Sequence, residues 1–198
     1  MRQLLAVISV SLVFATPAAA VDSVLWKTVN GWSIYMDPTM GNACYVSTVY
    51  EGNTILRLGF DFSREPKTVY FALGNPAWKS LEPGKDYPIK IQFDNQPVWD
   101  ATANAIEFSG FNWLRVATTD YNFASEFARK LSMTAAFNGR QIAALRLKGS
   151  AKAIDEMLIC QQTVNSYIAK NKPAPTPAPA DPFATSPDVK NATDPFEL

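Results

Sequence analysis

With no histidine anywhere in its 198 residues, this sequence depends on carboxylates and two thiols for acid–base and nucleophilic chemistry near neutral pH. Ser-His-Asp triads, Cys-His dyads and His-ligated metal sites are excluded together. A hydrolase built on what remains would use two carboxylates, one as acid and the other as base or nucleophile. Asp61, Asp94, Asp100 and Asp120 are the candidates. Each falls near a predicted strand end or turn, where aspartate is abundant because its carboxylate bonds nearby backbone N–H groups, and that structural role is the expected one. Asp37, Asp94 and Asp100 lack the close spacing of a calcium loop, and there is no glycine-rich phosphate loop. Neither a metal nor a cofactor is expected.

The two thiols are Cys44 and Cys160. Their redox state depends on where the chain goes, and residues 1–20 address that question. Met1 and Arg2 precede an apolar run from Leu4 to Ala15, and Ala18-Ala19-Ala20 offers the small residues a signal peptidase reads. The run is about twelve residues against the ~20 needed to cross a membrane. It therefore reads as a cleavable leader for export to a periplasmic or secreted location, with no membrane span in the remainder. Export favours oxidation, and a bridge between these cysteines would close a loop of about 116 residues, a constraint that can stabilise a fold by ~4 to 5 kcal/mol. Two buried thiols or a redox pair are the alternatives; a redox pair normally sits two residues apart.

Five tryptophans supply the other chemically useful groups. Trp78, in Asn75-Pro76-Ala77-Trp78-Lys79, and Trp99, in Pro97-Val98-Trp99-Asp100, have loop-like polar surroundings and form a possible binding surface, since an exposed indole stacks on a sugar or accepts a partner's apolar anchor. The plainer expectation is that Trp26, Trp32, Trp78, Trp99 and Trp113 all fill the core. Near the end of the chain Asp-Pro-Phe occurs twice, as Asp181-Pro182-Phe183 and Asp194-Pro195-Phe196. The tripeptide resembles the one that eukaryotic clathrin-adaptor appendages recognise, although a flexible spacer rich in Asp and Pro produces it readily.

The elements that must position these residues are mostly short strands. Gly31 to Tyr35, Ala43 to Tyr50, Thr54 to Phe62 and Thr68 to Leu73 are separated by turn residues. Glu82-Pro83-Gly84-Lys85 is a turn, and from Tyr87 onward Ile89, Ile91 and Phe93 alternate with Lys90, Gln92 and Asp94, the period of a half-buried strand. Val98 to Ala101, Ala105 to Ser109 and Trp113 to Thr118 are three further candidates. Asn138-Gly139, between Met133 to Phe137 and Gln141 to Leu147, is the strongest hairpin signal in the chain. Two helices are expected. Asp120 can cap Tyr121 to Leu131, with Phe123, Phe127 and Leu131 on one face. A longer one follows Gly149-Ser150 to about Ala169, with Ala153, Ile154, Met157, Leu158, Val164 and Ile168 as its apolar stripe. The fold class is α+β, mainly an antiparallel sheet or sandwich with two helices, one of them C-terminal. Residues 21–170 form the globular domain. Residues 171–198, rich in proline and poor in large apolar groups, form a disordered tail.

The series Gly31-Trp32-Ser33-Ile34, Cys44, Arg57-Leu58-Gly59-Phe60, Gly74-Asn75-Pro76-Ala77-Trp78, Glu82-Pro83-Gly84-Lys85-Asp86-Tyr87, Gln92-Phe93-Asp94 and Leu147-Lys148-Gly149-Ser150 through Cys160 resembles a group of small exported alphaproteobacterial proteins of unassigned activity. More remotely it is similar to the invasion-associated locus B family of β-rich exported domains. That family carries a cysteine soon after the first Trp, where this chain has Tyr35 and Met36. The resemblance implies a Gram-negative envelope setting and supplies no catalytic residues. With zero formal net charge there is no electrostatic case for nucleic acid. The expectation is a non-enzymatic binding module whose partner is an envelope protein or a glycan. A carboxylate-dependent hydrolase of envelope glycans and a host-directed factor acting through its Asp-Pro-Phe tail are the alternatives.

Overall fold

The computed structural model describes residues 23–172. The expected leader at 1–20 and the tail motifs at 181–183 and 194–196 lie outside the described residues. Ten strands form one antiparallel sheet: β1 (Val24–Val29), β2 (Trp32–Asp37), β3 (Ala43–Val49), β4 (Ile55–Asp61), β5 (Thr68–Gly74), β6 (Asp86–Phe93), β7 (Trp99–Phe108), β8 (Phe111–Thr118), β9 (Ser132–Phe137) and β10 (Arg140–Arg146). Their order across the sheet is β1-β2-β3-β4-β5-β8-β7-β6-β9-β10. Helices α1 (Asn122–Arg129) and α2 (Ser150–Lys170) complete the α+β fold.

Alternation decides which face each residue takes. In β6, Tyr87, Ile89, Ile91 and Phe93 are buried while Lys90 and Asp86 are exposed, as the sequence pattern predicts. The inward residues of β2 through β10 belong to a single apolar cluster that also includes Phe123 and Phe127 of α1 and Ala153, Ile154 and Met157 of α2. The sheet is therefore curled, and its two ends are tied. Tyr50, after β3, donates its hydroxyl to the Arg146 carbonyl in β10 at 2.8 Å, and Trp32 Nε1 donates to the Lys148 carbonyl at 3.0 Å. Asn138 and Gly139 both take positive φ, at 49° and 74°, which is the backbone a two-residue β9–β10 hairpin demands.

Helix α2 lies against β1, β2 and β3. Cys160 on α2 is bonded to Cys44 in β3, with their Cα atoms 6.2 Å apart. The next residue, Gln161, adds a polar clamp: its buried Oε1 accepts the Cys44 backbone N–H at 2.7 Å and its Nε2 donates to the Asn42 carbonyl at 3.3 Å. Lys27 of β1 reaches Glu156 at 2.9 Å.

Several sequence expectations are corrected. Strand β1 was not foreseen: its residues, Val24, Leu25 and Trp26 among them, are nearly all exposed, so no inward-outward alternation marks it. The two short strands at 98–101 and 105–109 are one continuous β7, because Thr102, Ala103 and Asn104 pair with Pro88, Tyr87 and Asp86. Leu131 lies beyond α1 and is 74% exposed, so the fully buried apolar side chains of that helix are Phe123 and Phe127, with Ala124 and Ala128 packed half-buried beside them. Leu158 and Ile168 of α2 are likewise exposed, and Cys160 and Gln161 take the buried positions the stripe left open.

Removal of the covalent tie should be costly. Cys44→Ala is expected to destabilise the protein by ~2 to 5 kcal/mol in chemical denaturation, and intact mass before and after reduction should show the loss of one bridge. An unchanged midpoint would mean that the Gln161 clamp and apolar burial hold α2 by themselves.

Candidate functional site

Strands β5 and β6 are consecutive in the chain but have β8 and β7 between them in the sheet. At about 4.8 Å per strand the connection must cover roughly 14 Å, and residues 75–85 make that crossing. Its start is anchored by buried Asn75, whose Nδ2 donates to the Gly52 carbonyl and to Thr54 Oγ1, each at 2.9 Å, while its Oδ1 accepts the Ala77 N–H at 2.8 Å. Midway, Asn112 of β8 donates to the carbonyls of Trp78 and Leu81, both at 3.1 Å. At the far end the Glu82-Pro83-Gly84-Lys85 turn closes through a Lys85 N–H to Glu82 carbonyl bond of 3.1 Å, with Gly84 at φ 85°. Tyr87 Oη accepts the Glu82 N–H at 3.0 Å. A loop fixed at three points holds Trp78 in a defined, half-buried position.

Trp78, Phe137 and Ile142 line both of two adjoining cavities. One, about 340 Å³, is floored by Leu81, Tyr87 and Leu114 and rimmed by Glu82 and Lys85, which pair with each other at 2.8 Å. The other, about 380 Å³, is rimmed by Asn138, Arg140 and Gln141 of the β9–β10 hairpin. The result is an apolar cleft with polar edges, the usual chemistry of a surface that accepts an aromatic, aliphatic or sugar face.

Trp99 does not join this cleft. It sits on β7, where its Nε1 donates to Glu126 Oε2 at 2.8 Å and its ring meets Phe123 edge-on at 5.5 Å, so it joins β7 to α1. Trp32 and Trp113 are buried as expected, whereas Trp26 is 41% exposed on the edge strand.

The four aspartates are dispersed. Asp94, after β6, accepts from Ser132 Oγ and from the backbone N–H groups of Leu131 and Ser132, bonds that hold its carboxyl below the ordinary range, the Ser132 hydroxyl foremost. Asp120 accepts the Asn122 N–H at 2.9 Å. Asp100 lies within β7 and pairs with Lys90 across the strand. Asp61 accepts from Ser63 N at 3.0 Å and Ser63 Oγ at 2.6 Å, and its other oxygen pairs with Arg115 Nη2 at 2.6 Å. Desolvation alone would raise the Asp61 pKa, but the Ser63 bonds and the Arg115 charge outweigh it and the carboxyl is held low. Asp61 shares a cavity with Glu65, yet a carboxylate held ionised in this way is poorly suited to donate a proton. Among the described residues no group of three or more Cys, Asp or Glu could hold a metal ion, and no helix is long and apolar enough to cross a membrane.

Sequence reasoning did not find the outer face of the sheet. There the Arg57 guanidinium lies 4.8 to 4.9 Å from the ring centres of Tyr45, Phe108 and Trp113, and Arg115 lies 5.1 Å from that of Tyr70. Burial pushes the hydroxyl of Tyr70 well above its ordinary pKa. The only local signal is that Arg57 and Arg115 occupy outward positions of otherwise apolar strands.

No protein-family model matches the chain, and no curated protein matches it. Among solved structures it is similar to invasion associated protein B from Bartonella henselae. The two share 16% identity over 69% of this chain and 97% of that one, with a TM-score of 0.47. The similarity is remote.

The Asp61–Arg115 pair sets a pH dependence whose sign follows from the lowered carboxyl. Its stabilising contribution is complete above the ordinary value of 3.8 and is lost as pH falls through the lower folded value. Asp61→Asn should therefore cost ~1 to 3 kcal/mol at neutral pH, the usual penalty for breaking a largely buried charged hydrogen bond, and should flatten the acid limb of stability against pH. A variant with an unchanged acid limb would show that the pair carries none of it.

Proposed function

We propose that the protein is a non-enzymatic binding module acting outside the cytoplasm, and that the Trp78 cleft is its ligand surface. The observation that carries this reading is the half-buried Trp78, held by Asn75 and Asn112 against Phe137 and Ile142 in an apolar cleft that no pair of carboxylates lines. A rigid aromatic anchor at the centre of a water-excluding rim is the arrangement from which binding energy is usually drawn. Export is supported by the leader at residues 1–20 and by a disulfide, a bond that persists in oxidising compartments. The resemblance of the sequence to small exported alphaproteobacterial proteins points to the envelope as the setting, with an envelope protein or a glycan as partner.

The test joins binding and turnover. Purified protein would be titrated against peptidoglycan fragments, and a photo-crosslinker at position 79 would capture adjacent envelope proteins in cells. Trp78→Ala should weaken whichever association is seen by roughly 30-fold, the ~2 kcal/mol of a central aromatic anchor. Asn variants of Asp61, Asp94, Asp100 and Asp120 should keep it wherever they fold. Hydrolysis of an envelope glycan that is abolished by one of these changes in a folded variant would overturn the reading in favour of a carboxylate-dependent enzyme, since loss of an essential acid or base costs ~10² to 10⁴ in rate.

A further inference from the structure

We propose that residues 188–194 of this chain's own C-terminal segment add to the free edge of β10 as a further strand, in the groove between that edge and the turn at residues 50–54. The groove, about 570 Å³, is lined on one side by the six consecutive residues Gln141 to Arg146 and on the other by Tyr50, Glu51 and Thr54. Neighbouring residues of a strand point their side chains to opposite faces, so a cavity that touches six in a row follows the backbone edge of β10 and neither of its faces.

That edge has bonding capacity to spare. β10 is the last strand in the order of the sheet and pairs with β9 alone. Leu147 donates its N–H to the Leu131 carbonyl on the β9 side at 2.7 Å, and the Arg146 carbonyl turns the other way, where Tyr50 Oη donates to it. Alternation then sends the Arg146 N–H and both backbone groups of Ala144 into the groove. On that side none of the three meets a partner among the described residues. Proteins rarely leave such an edge uncovered, and the wall at Glu51 and Thr54 makes the groove a place for one chain rather than for the sheet edge of a second copy.

Reach, composition and charge name the occupant. Helix α2 begins just after β10, and its 21 residues carry the chain ~31 Å away at 1.5 Å per residue. From Asn171 to Asp188 an extended proline-rich chain can return up to ~50 Å at ~3.1 Å per residue. Strand addition needs N–H donors, which proline lacks. The longest proline-free stretch after residue 172 is Asp188-Val189-Lys190-Asn191-Ala192-Thr193-Asp194, between Pro187 and Pro195. An antiparallel course with Lys190 opposite Ala144 sets Asp188 beside Arg146 and Val189 beside buried Leu145, and brings Asp194 to the Arg140 end, past the irregularity at Ile142. Neither arginine has an ion-pair partner among the described residues, and opposite charges facing each other across a strand pair attract. Glu51 on the far wall is matched in charge by Lys190, the one cation of the run.

The test is hydrogen exchange on the full chain, labelled with ¹⁵N and read amide by amide with no ligand present. The Ala144 and Arg146 amides are expected to exchange about tenfold more slowly than in Lys190→Pro, which removes the N–H aimed at the Ala144 carbonyl. Leu147, bonded to Leu131, should be equally protected in both. Lys190 lies outside the described residues, so its replacement breaks no contact described within the domain. Asp188→Arg should speed exchange at Ala144 about threefold, as loss of an exposed ion pair does, and adding Arg146→Asp should restore it. Equal exchange of Ala144 and Arg146 in the unaltered chain and in Lys190→Pro overturns the proposal. Protection that rises with protein concentration also overturns it, because the groove then holds the segment of a second copy. A charge swap that leaves Ala144 unprotected overturns the register. Trp78→Ala should not alter the exchange, so docking of residues 188–194 and ligand binding by the cleft fail separately.

Discussion

The fold depends on closing the inner face of a curled sheet, and the closure over β1, β2 and β3 is made by α2. The apolar stripe of that helix is modest. Ala153 contributes little area, and Ile154 and Met157 are the main buried apolar side chains of its first half. At ~1.5 to 3 kcal/mol for each large side chain, their burial is comparable with the ~4 to 5 kcal/mol that a bridge across 116 residues can contribute on the chain-entropy model. The disulfide is therefore not an accessory to a packed helix. It is one of the terms of equal size that decide whether the helix stays down. Gln161 explains why the helix sits in one register: its amide satisfies the Cys44 N–H and the Asn42 carbonyl at the place where β3 begins, and a shift of α2 along the sheet would leave those buried groups unpaired.

Most strands were legible because their turns and their alternation agree. β6 is the clearest case, with every second residue from Tyr87 to Phe93 buried and those between them exposed or half-buried, and Asn138-Gly139 named its hairpin from two residues. β1 was illegible for a physical reason. An edge strand whose side chains nearly all meet water carries no burial pattern, and the one usable sign was Asn30-Gly31, whose positive φ values of 50° and 82° make the β1–β2 turn. Strand order was illegible for a different reason. The sequence of neighbours β5-β8-β7-β6 depends on which edges meet after residues 75–85 cross the sheet, and nothing local to any strand encodes that pairing.

The candidate cleft was half legible on the same grounds. Trp78 stood out through its Asn-Pro neighbours, but Phe137 and Ile142 come from a hairpin about sixty residues away and reach it only because β9 pairs with β6. Trp99 looked equivalent in sequence, yet it lies on a strand and its indole is committed to Glu126. The Asp61–Arg115 pair could not be read at all, because its partners meet only through the adjacency of β5 to both β4 and β8.

That outer face differs from an ordinary solvated sheet surface in one further respect. A Cβ on Gly59 would fall 2.3 Å from the Cβ of Tyr45, and one on Gly74 would fall 2.4 Å from the ring of Trp113. Glycine at these positions costs strand stability, since it has no side chain to pack and loses more backbone freedom than any other residue. Here the bare Gly74 lets the Trp113 ring lie down on the sheet and Gly59 admits the close approach of Tyr45, and Arg57 is then stacked among Tyr45, Trp113 and Phe108 with no carboxylate paired to it among the described residues. Cation–π attraction of ~0.5 to 2 kcal/mol per contact can hold the guanidinium there, but it uses the flat face of the group and leaves the N–H donors in its plane unspent. A face built in this way keeps its positive charge ordered and its hydrogen-bonding capacity in reserve, whereas the inner face has already been consumed by the closure that α2 completes.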